Sequence, residues 1–322
     1  MDPIKDFERE ISTVLGTCEI SVTQYPAGLD RLAANYLEKQ GMRSNEERRN
    51  SICYLLPFWL KDKYVIDVDT CMRLAEANAF GLLYFFTQDE VMDAPAGEYK
   101  GNLLPLSNLF NLELLSRYRS LFSSGSSFWK YYDKYFGEWA QSVAWERQEH
   151  FDGCTGFSEE DLVMLARKAA PLKIPCAAIC LLSSRESDIS AWERLIDCYH
   201  TVIQLVDDWR DWKEDLKTGN CSYFLSKIAE ANELADFDAI NEAVVHKAIL
   251  TTEIPEELFA KAVAYCNMAV EICNKFELPY LYSFLRLQEE YCRTQIAKIC
   301  EEKNAIYQGG LNYLFYKLST SR

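Results

Sequence analysis

Long stretches of helical periodicity with few helix breakers constrain the fold of this chain more than any other feature. Only 13 of the 322 residues are glycine and 9 are proline, which is few for the tight turns of an all-β protein. Apolar residues recur at helical spacing, and the periodic segments 69–93 and 190–216 each exceed about 20 residues. Helices of this length usually pack as bundles, in which inward side chains build binding sites. The pattern therefore predicts an all-α protein.

The predicted helices cover most of the chain. Periodicity, capping residues and breakers place them at 31–40, 44–60, 69–93, 103–122, 128–150, the segment after Ser158, 190–216, two or three within 224–275, and 281–303 before a C-terminal piece. Ser158 opens a capping box, SEED, and Pro171 and Pro175 interrupt the pattern that follows. Since no long linker or internal repeat divides the chain, we expect a single domain, residues 1–322, of about ten to twelve helices around a central apolar cavity.

The charge balance argues against several classes of partner. The chain has 49 Asp and Glu against 34 Lys and Arg, a net charge of −15. Nucleic-acid binding and adsorption to anionic membranes both need a cationic surface, so neither is expected. An anionic substrate would need a metal ion or a local basic patch. The longest clean apolar run, 79–86, is far shorter than the roughly 20 residues of a spanning helix, so we predict a soluble protein without stable membrane insertion.

The cysteines and histidines show no metal or redox motif. The 12 cysteines are scattered and form no CxxC pair, which argues against zinc-ribbon and thioredoxin sites. Because the chain is long and 49% hydrophobic, a disulfide framework is not expected, and reduced thiols in a cytoplasmic protein are predicted. The N-terminus has no apolar signal region. None of the three histidines follows a Glu by three residues, as a di-iron bundle site requires.

One predicted helix carries five acids on one face. In DDWRDWKED, a wheel of about 100° per residue places all five within an arc of about 120°, whereas Trp209 and Trp212 fall outside it. We call these residues the acidic stripe: Asp207, Asp208, Asp211, Glu214 and Asp215. Such like charges repel one another, so the arrangement favours neutralisation by a cation. Mg²⁺ typically takes one or two carboxylates plus substrate phosphates. The alternative is an acidic helix end that faces solvent.

A second apolar helix ends in QDEVMD, whose acids we call the first acidic cluster: Asp89, Glu90 and Asp93. Leu82 and Phe86 lie on the same side of the wheel, so an apolar face continues below the acids. Acids at a helix C-terminus oppose the helix dipole, which suggests a role other than local stabilisation. Two such clusters predict facing acidic walls above a hydrophobic cavity, suited to a ligand with an anionic head and a hydrocarbon tail.

QDEVMD and QLVDDWRDWKEDLKTGNCSYFL together resemble the paired aspartate-rich motifs of the class I isoprenoid synthases. This all-α family includes trans-prenyltransferases, squalene and phytoene synthases, and terpene cyclases. The first motif is QDExxD where the family has DDxxD. The GK pair of chain elongators and the standard NSE triad of many microbial cyclases are absent. The chain is therefore most similar to atypical terpene synthases.

The resemblance implies a terpene synthase that ionises an allylic diphosphate, such as farnesyl or geranylgeranyl diphosphate, and lets the carbocation cyclise as diphosphate leaves. In the family, three Mg²⁺ ions bind the diphosphate, and Mn²⁺ is an alternative ion. The implied metal ligands are Asp89, Glu90, Asp93, Asp207, Asp208, Asp211 and Asp215. The implied cationic catalytic residues are Arg167, Lys168 and Arg293. The implied substrate contacts are Leu82, Phe85, Phe86, Gln204 and Lys173.

Two other interpretations stay open at this stage. A prenyltransferase would couple the prenyl diphosphate to a second isoprenoid or another acceptor. A non-catalytic helical interaction protein would carry the same acids as surface patches. The substrate chain length, the product skeleton and a homodimeric state are not fixed by the sequence, because they depend on the contour of the pocket and of the surface.

Overall fold

The all-α prediction is confirmed. The structure, a computed structural model, describes residues 1–39, 51–92, 101–149, 156–234 and 239–320, and none of these residues forms a β-strand. In chain order the helices are α1 (Glu8–Val22), α2 (Leu29–Lys39), α3 (Ser51–Tyr64), α4 (Val68–Met92), α5 (Leu103–Leu121), α6 (Phe128–Glu149), α7 (Glu159–Ala166), α8 (Lys173–Leu182), α9 (Ile189–Thr218), α10 (Tyr223–Ala231), α11 (Glu242–Thr251), α12 (Ile254–Phe276) and α13 (Pro279–Thr320).

The observed bounds differ from the predicted ones at three places. Helix α1 was missed, although Val14, Cys18 and Val22 recur at helical spacing and are buried. The predicted helix 44–60 is observed from Ser51 onward, and its earlier part lies outside the described residues. The helix predicted over 281–303 extends further, and the C-terminal piece follows it in α13 after a break at Gly310, whose φ is 58°.

The local signals around Ser158 and Pro171 are confirmed, whereas Pro175 does not interrupt a helix. Ser158 Oγ accepts a hydrogen bond from the Asp161 backbone N–H at 3.1 Å, and the Asp161 carboxylate accepts one from the Ser158 N–H at 2.8 Å. This reciprocal pair is a capping box. A 3₁₀ segment, Arg167–Leu172, contains Pro171 and separates α7 from α8. Pro175 lies in the first turn of α8, where a missing N–H is tolerated.

The chain groups into two compact units, and each consists of three segments. The first unit comprises residues 1–135, 171–193 and 276–283, and the second comprises 136–170, 194–275 and 284–322. In the first unit, α4 packs against α1, α3 and α5. Its buried face includes Phe80, which packs against Phe110 of α5. The expectation of one undivided domain around a central cavity stays a prediction.

A largely buried ion cluster joins three helices of the first unit. Arg117 of α5 donates to Glu76 of α4 at 3.2 Å and to Ser21 of α1 at 3.0 Å, and it also pairs with Glu113 one turn before it. Its guanidinium lies 4.5 Å from the ring centroid of Phe80. Because the Arg117 side chain is only 14% exposed, these contacts fix α1 and α5 against α4.

The second unit anchors the C-terminal half of α9 through aromatic contacts. Trp209 lies edge-on to Phe224 of α10 and to Phe259 of α12, with 5.5 Å between ring centroids in both pairs. Leu205, one turn earlier, is fully buried in the same cluster, and Trp212 is also buried there. The acidic stripe therefore lies on a helix whose opposite face is fixed in a hydrophobic core.

Among the cysteines that the structure describes, all but Cys221 are free thiols. Ten cysteines in the described ranges are free thiols, and most of them are buried. Cys221, in the turn between α9 and α10, is disulfide-bonded, so the expectation of reduced thiols throughout is wrong at this position. Across the part of the chain that the structure describes, we find no helix with the length and apolarity to cross a membrane.

Candidate functional site

Exposure changes systematically across the acidic stripe. Glu214, at one edge of the predicted arc, and Asp211, near its centre, are exposed, and Asp207 is partly exposed. Asp215 is partly buried, whereas Asp208, at the edge of the arc nearest to Trp212, is only 3% exposed. The five carboxylates therefore do not form one uniform surface, because the edge of the stripe lies against the core.

Asp208 is held entirely by neighbouring hydrogen-bond donors. Gln204 Nε2 donates to Oδ1 at 2.7 Å, and the backbone N–H of Phe224 donates to Oδ2 at 3.3 Å. Burial raises the pKa of Asp208 from 3.8 to about 7, against the lowering effect of the Gln204 hydrogen bond, and the charge of Asp215 raises it further. Because the side chain is buried and both carboxylate oxygens already accept hydrogen bonds, Asp208 is the least accessible of the five acids to a cation.

Asp215 is held by the turn that follows α9. Asn220 Nδ2 donates to Asp215 Oδ1 at 3.1 Å, and the Asn220 N–H donates to the Asp215 carbonyl at 2.9 Å. The turn includes Gly219, whose φ of 74° lies in the left-handed region that favours glycine. Burial raises the pKa of Asp215 to about 6, partly offset by the Asn220 hydrogen bond, and the Asp211 carboxylate also raises it.

Asp207, Asp211 and Glu214 are the acids of the stripe whose side chains are most accessible to a ligand. The side chains of Asp211 and Glu214 make no hydrogen bond or ion pair with any described residue. Asp207 Oδ1 lies 3.9 Å from Arg210 Nη1. The guanidinium of Arg210 covers the ring of Tyr291 on α13, with 4.9 Å to the centroid, and its Nε donates to Tyr291 Oη at 3.3 Å. Asp207 and Asp211, one turn apart, therefore share an accessible face.

In the first acidic cluster, Asp89 and Glu90 lie in the last turn of α4, and Asp93 lies outside the described residues. Glu90 accepts a hydrogen bond from the buried Tyr36 hydroxyl of α2. Burial and this contact raise the pKa of Tyr36. The interaction joins residues 54 positions apart, and no local pattern in the sequence indicates it. Glu90 thus contacts α2, whereas Asp89 lies about 100° away on the wheel.

The predicted substrate contacts on α4 form a partly exposed apolar face. Leu82, Phe85 and Phe86 are each of intermediate exposure, as is Asp89 one turn further along. The opposite residues of the helix, Leu83 among them, are buried. This spacing places an open apolar strip directly below Asp89.

Arg167 and Lys168 lie at the start of the 3₁₀ segment, but their surroundings differ. Lys168 forms an ion pair with Glu146 of α6, with 2.8 Å between Nζ and Oε2. The Nε of Arg167 is buried and has no hydrogen-bond acceptor among the described residues. A buried donor without an acceptor is energetically unfavourable, so Arg167 is better placed than Lys168 to bind an added anion.

Arg293 and Lys173 are also already engaged. Arg293 Nε donates to the buried Glu289 at 2.8 Å, and Arg286 pairs with the same carboxylate. Both arginines line an open concavity of about 460 Å³ on α13. Lys173, the first residue of α8, is 2% exposed, and its ammonium lies 5.9 Å from the ring centroid of Tyr135.

The carboxylates fit only a cation whose coordination is completed by other ligands. Within the described ranges, no three His, Cys, Asp or Glu side chains come together as a metal-binding group. Asp207 and Asp211 offer two hard oxygen donors, and Mg²⁺ is commonly held by one or two carboxylates with substrate phosphates and waters. The residues present therefore fit a magnesium ion that is bound together with a diphosphate.

Comparison with known proteins adds no assignment. No protein-family model matches this chain, and no curated protein sequence is significantly similar to it.

Proposed function

We propose that this chain is a Mg²⁺-dependent class I terpene synthase, which ionises an allylic prenyl diphosphate and cyclises the hydrocarbon chain. The observation that carries the proposal is the accessible face of Asp207 and Asp211 on α9. These carboxylates lie on a helix end that is fixed by Trp209 on its other side. An acidic surface formed only for solubility has no need of such an anchor.

Each remaining element of the proposed site has a defined task. Asp207 and Asp211 would hold Mg²⁺. When bound, Mg²⁺ neutralises the negative charge that develops on the departing diphosphate. Arg167 binds a diphosphate oxygen through its buried N–H, which has no acceptor among the described residues. This contact positions the leaving group and supplies positive charge where negative charge develops.

The hydrocarbon chain is assigned to the apolar face of α4. Leu82, Phe85 and Phe86 are partly exposed and lie one to two turns before Asp89. A prenyl chain that lies along this face would bury it from water. The rings of Phe85 and Phe86 can stabilise a carbocation through cation–π interaction. Farnesyl or geranylgeranyl diphosphate is the proposed substrate, and a cytoplasmic enzyme is proposed.

The decisive experiment is incubation of the purified chain with Mg²⁺ and farnesyl or geranylgeranyl diphosphate alone, followed by gas chromatography–mass spectrometry. A cyclic hydrocarbon or alcohol from one substrate supports the synthase. Turnover that appears only with a second isoprenoid or another acceptor would assign the chain to the prenyltransferases. No turnover, together with no thermal stabilisation by Mg²⁺ plus pyrophosphate, would favour the helical interaction protein.

Matched variants connect activity with the proposed ligands. Asp207→Asn and Asp211→Asn are expected to reduce turnover by at least about 100-fold, because each removes a charged oxygen that acts on the leaving group. Asp69→Asn is the control, since Asp69 is an exposed acid in the first turn of α4. Equal activity of all three variants would exclude the assigned ligands.

A further inference from the structure

The turn between α9 and α10 is held by carboxylates at the edge of the acidic stripe. Asp208 accepts from the Phe224 N–H at 3.3 Å, in the first turn of α10. Asp215 accepts from the Asn220 side chain at 3.1 Å, within the turn itself. Asp208 and Asp215 therefore both act on the connection that leads into α10.

Asp208 occupies a place where a ligand has little access. It is 3% exposed, and both of its carboxylate oxygens already accept hydrogen bonds, from Gln204 and Phe224. The N-cap residue of α10, Ser222, makes no side-chain capping hydrogen bond. Instead of Ser222, Asp208 accepts a hydrogen bond from the backbone N–H of Phe224 in the first turn of α10. This N–H has no acceptor within the helix itself.

We propose that Asp208 is a positioning residue of the acidic stripe and not a metal ligand. It fastens the first turn of α10 to α9, and this fixes the preceding turn in which Asn220 holds the Asp215 carboxylate. Asp215 then stays beside Asp211 on the ligand face. The inference rests on the proposed function, because Asp215 lies one turn after Asp211, which is assigned to the Mg²⁺–diphosphate.

Two substitutions separate the roles of Asp208. Asp208→Ala removes both acceptors and releases the first turn of α10. Asp208→Asn keeps an oxygen for the Phe224 N–H, and its amide group can pair with Gln204 after that side chain rotates. The two probes are the half-saturating Mg²⁺ concentration for thermal stabilisation at fixed inorganic pyrophosphate, and amide hydrogen exchange of residues 223–225.

Loss of a residue that orients a metal ligand commonly weakens metal affinity by about 10- to 100-fold. We expect Asp208→Ala to raise the half-saturating Mg²⁺ concentration by at least about 10-fold and to accelerate exchange at 223–225. Asp208→Asn should restore most of the affinity and the slow exchange. Asp211→Asn, the control for a direct ligand, should abolish the Mg²⁺ response without accelerating exchange at 223–225.

Three outcomes would overturn the proposal while leaving the proposed function intact. If Asp208→Asn loses the Mg²⁺ response as fully as Asp211→Asn, Asp208 binds the metal directly. If Asp208→Ala accelerates exchange but leaves the Mg²⁺ midpoint unchanged, Asp208 serves the fold alone. If exchange is unchanged, the link to α10 is absent. A wild-type chain that shows no response to Mg²⁺ and pyrophosphate overturns the proposed function itself, and the positioning role with it.

Discussion

The buried carboxyl group of Asp208 should make the stability of the folded chain depend on pH, and Asp208→Asn should remove the part of that dependence that comes from Asp208. Burial raises the pKa of Asp208 from 3.8 to about 7. Between these two values the folded chain keeps a proton that the unfolded chain has released. The stabilisation from the protonated group is therefore complete below about pH 4 and is lost as the pH rises through about 7.

The magnitude follows from the change in proton affinity. At about 1.4 kcal/mol for each tenfold change, the difference between 3.8 and about 7 corresponds to about 4 kcal/mol. An asparagine occupies nearly the same volume and cannot ionise. The free energy of unfolding of Asp208→Asn, minus that of the wild type, should therefore increase by up to about 4 kcal/mol between about pH 4 and about pH 8.

The assay is urea unfolding at a series of pH values in the presence of a chelator, followed by tryptophan fluorescence and by circular dichroism. Coincident transitions from the two probes are needed before free energies are compared. Asp211→Asn is the control, because the exposed Asp211 loses little hydration on folding. If the free energies of unfolding of Asp208→Asn and the wild type differ by a constant amount across the pH series, the argument that burial raises the pKa of Asp208 is refuted.

Three further substitutions test an ion cluster, a helix cap and a helical glycine, each within one unit, by thermal or urea unfolding. Arg117→Met should destabilise the fold by about 3 kcal/mol, because it leaves the carboxylates of Glu76 and Glu113 without their shared partner; a neutral result would contradict the importance of the cluster. Ser158→Ala should cost about 1 kcal/mol by removing the cap of α7, and an unchanged midpoint would show that the cap is dispensable. Gly137→Ala should stabilise by up to about 1 kcal/mol, since the glycine lies in α6 and a Cβ meets no atom within 4 Å; a lower midpoint would indicate an unrecognised constraint.

Much of the helical layout could be predicted from the sequence because helix formation and capping are local. The predicted 69–93 and 190–216 are observed as Val68–Met92 and Ile189–Thr218. The Ser158 capping box depends on residues only three positions apart. The pairing of Arg293 with Glu289, one turn apart on α13, could also have been recognised from i, i+4 spacing. The helical wheel placed the five acids of the stripe on one arc for the same reason.

Only the tertiary structure decided which of those acids are exposed and which are buried. The wheel gives the angle of Asp208 around α9, but its burial depends on the return of the chain, which places the Phe224 N–H against its carboxylate. Likewise, the family resemblance implies Glu90 as a metal ligand, but its contact with Tyr36 comes from a helix 54 residues earlier. Periodicity along one helix determines which direction a side chain takes. The element packed on that side determines whether the side chain meets water, a core or a hydrogen-bond donor, and a single helix does not encode that element.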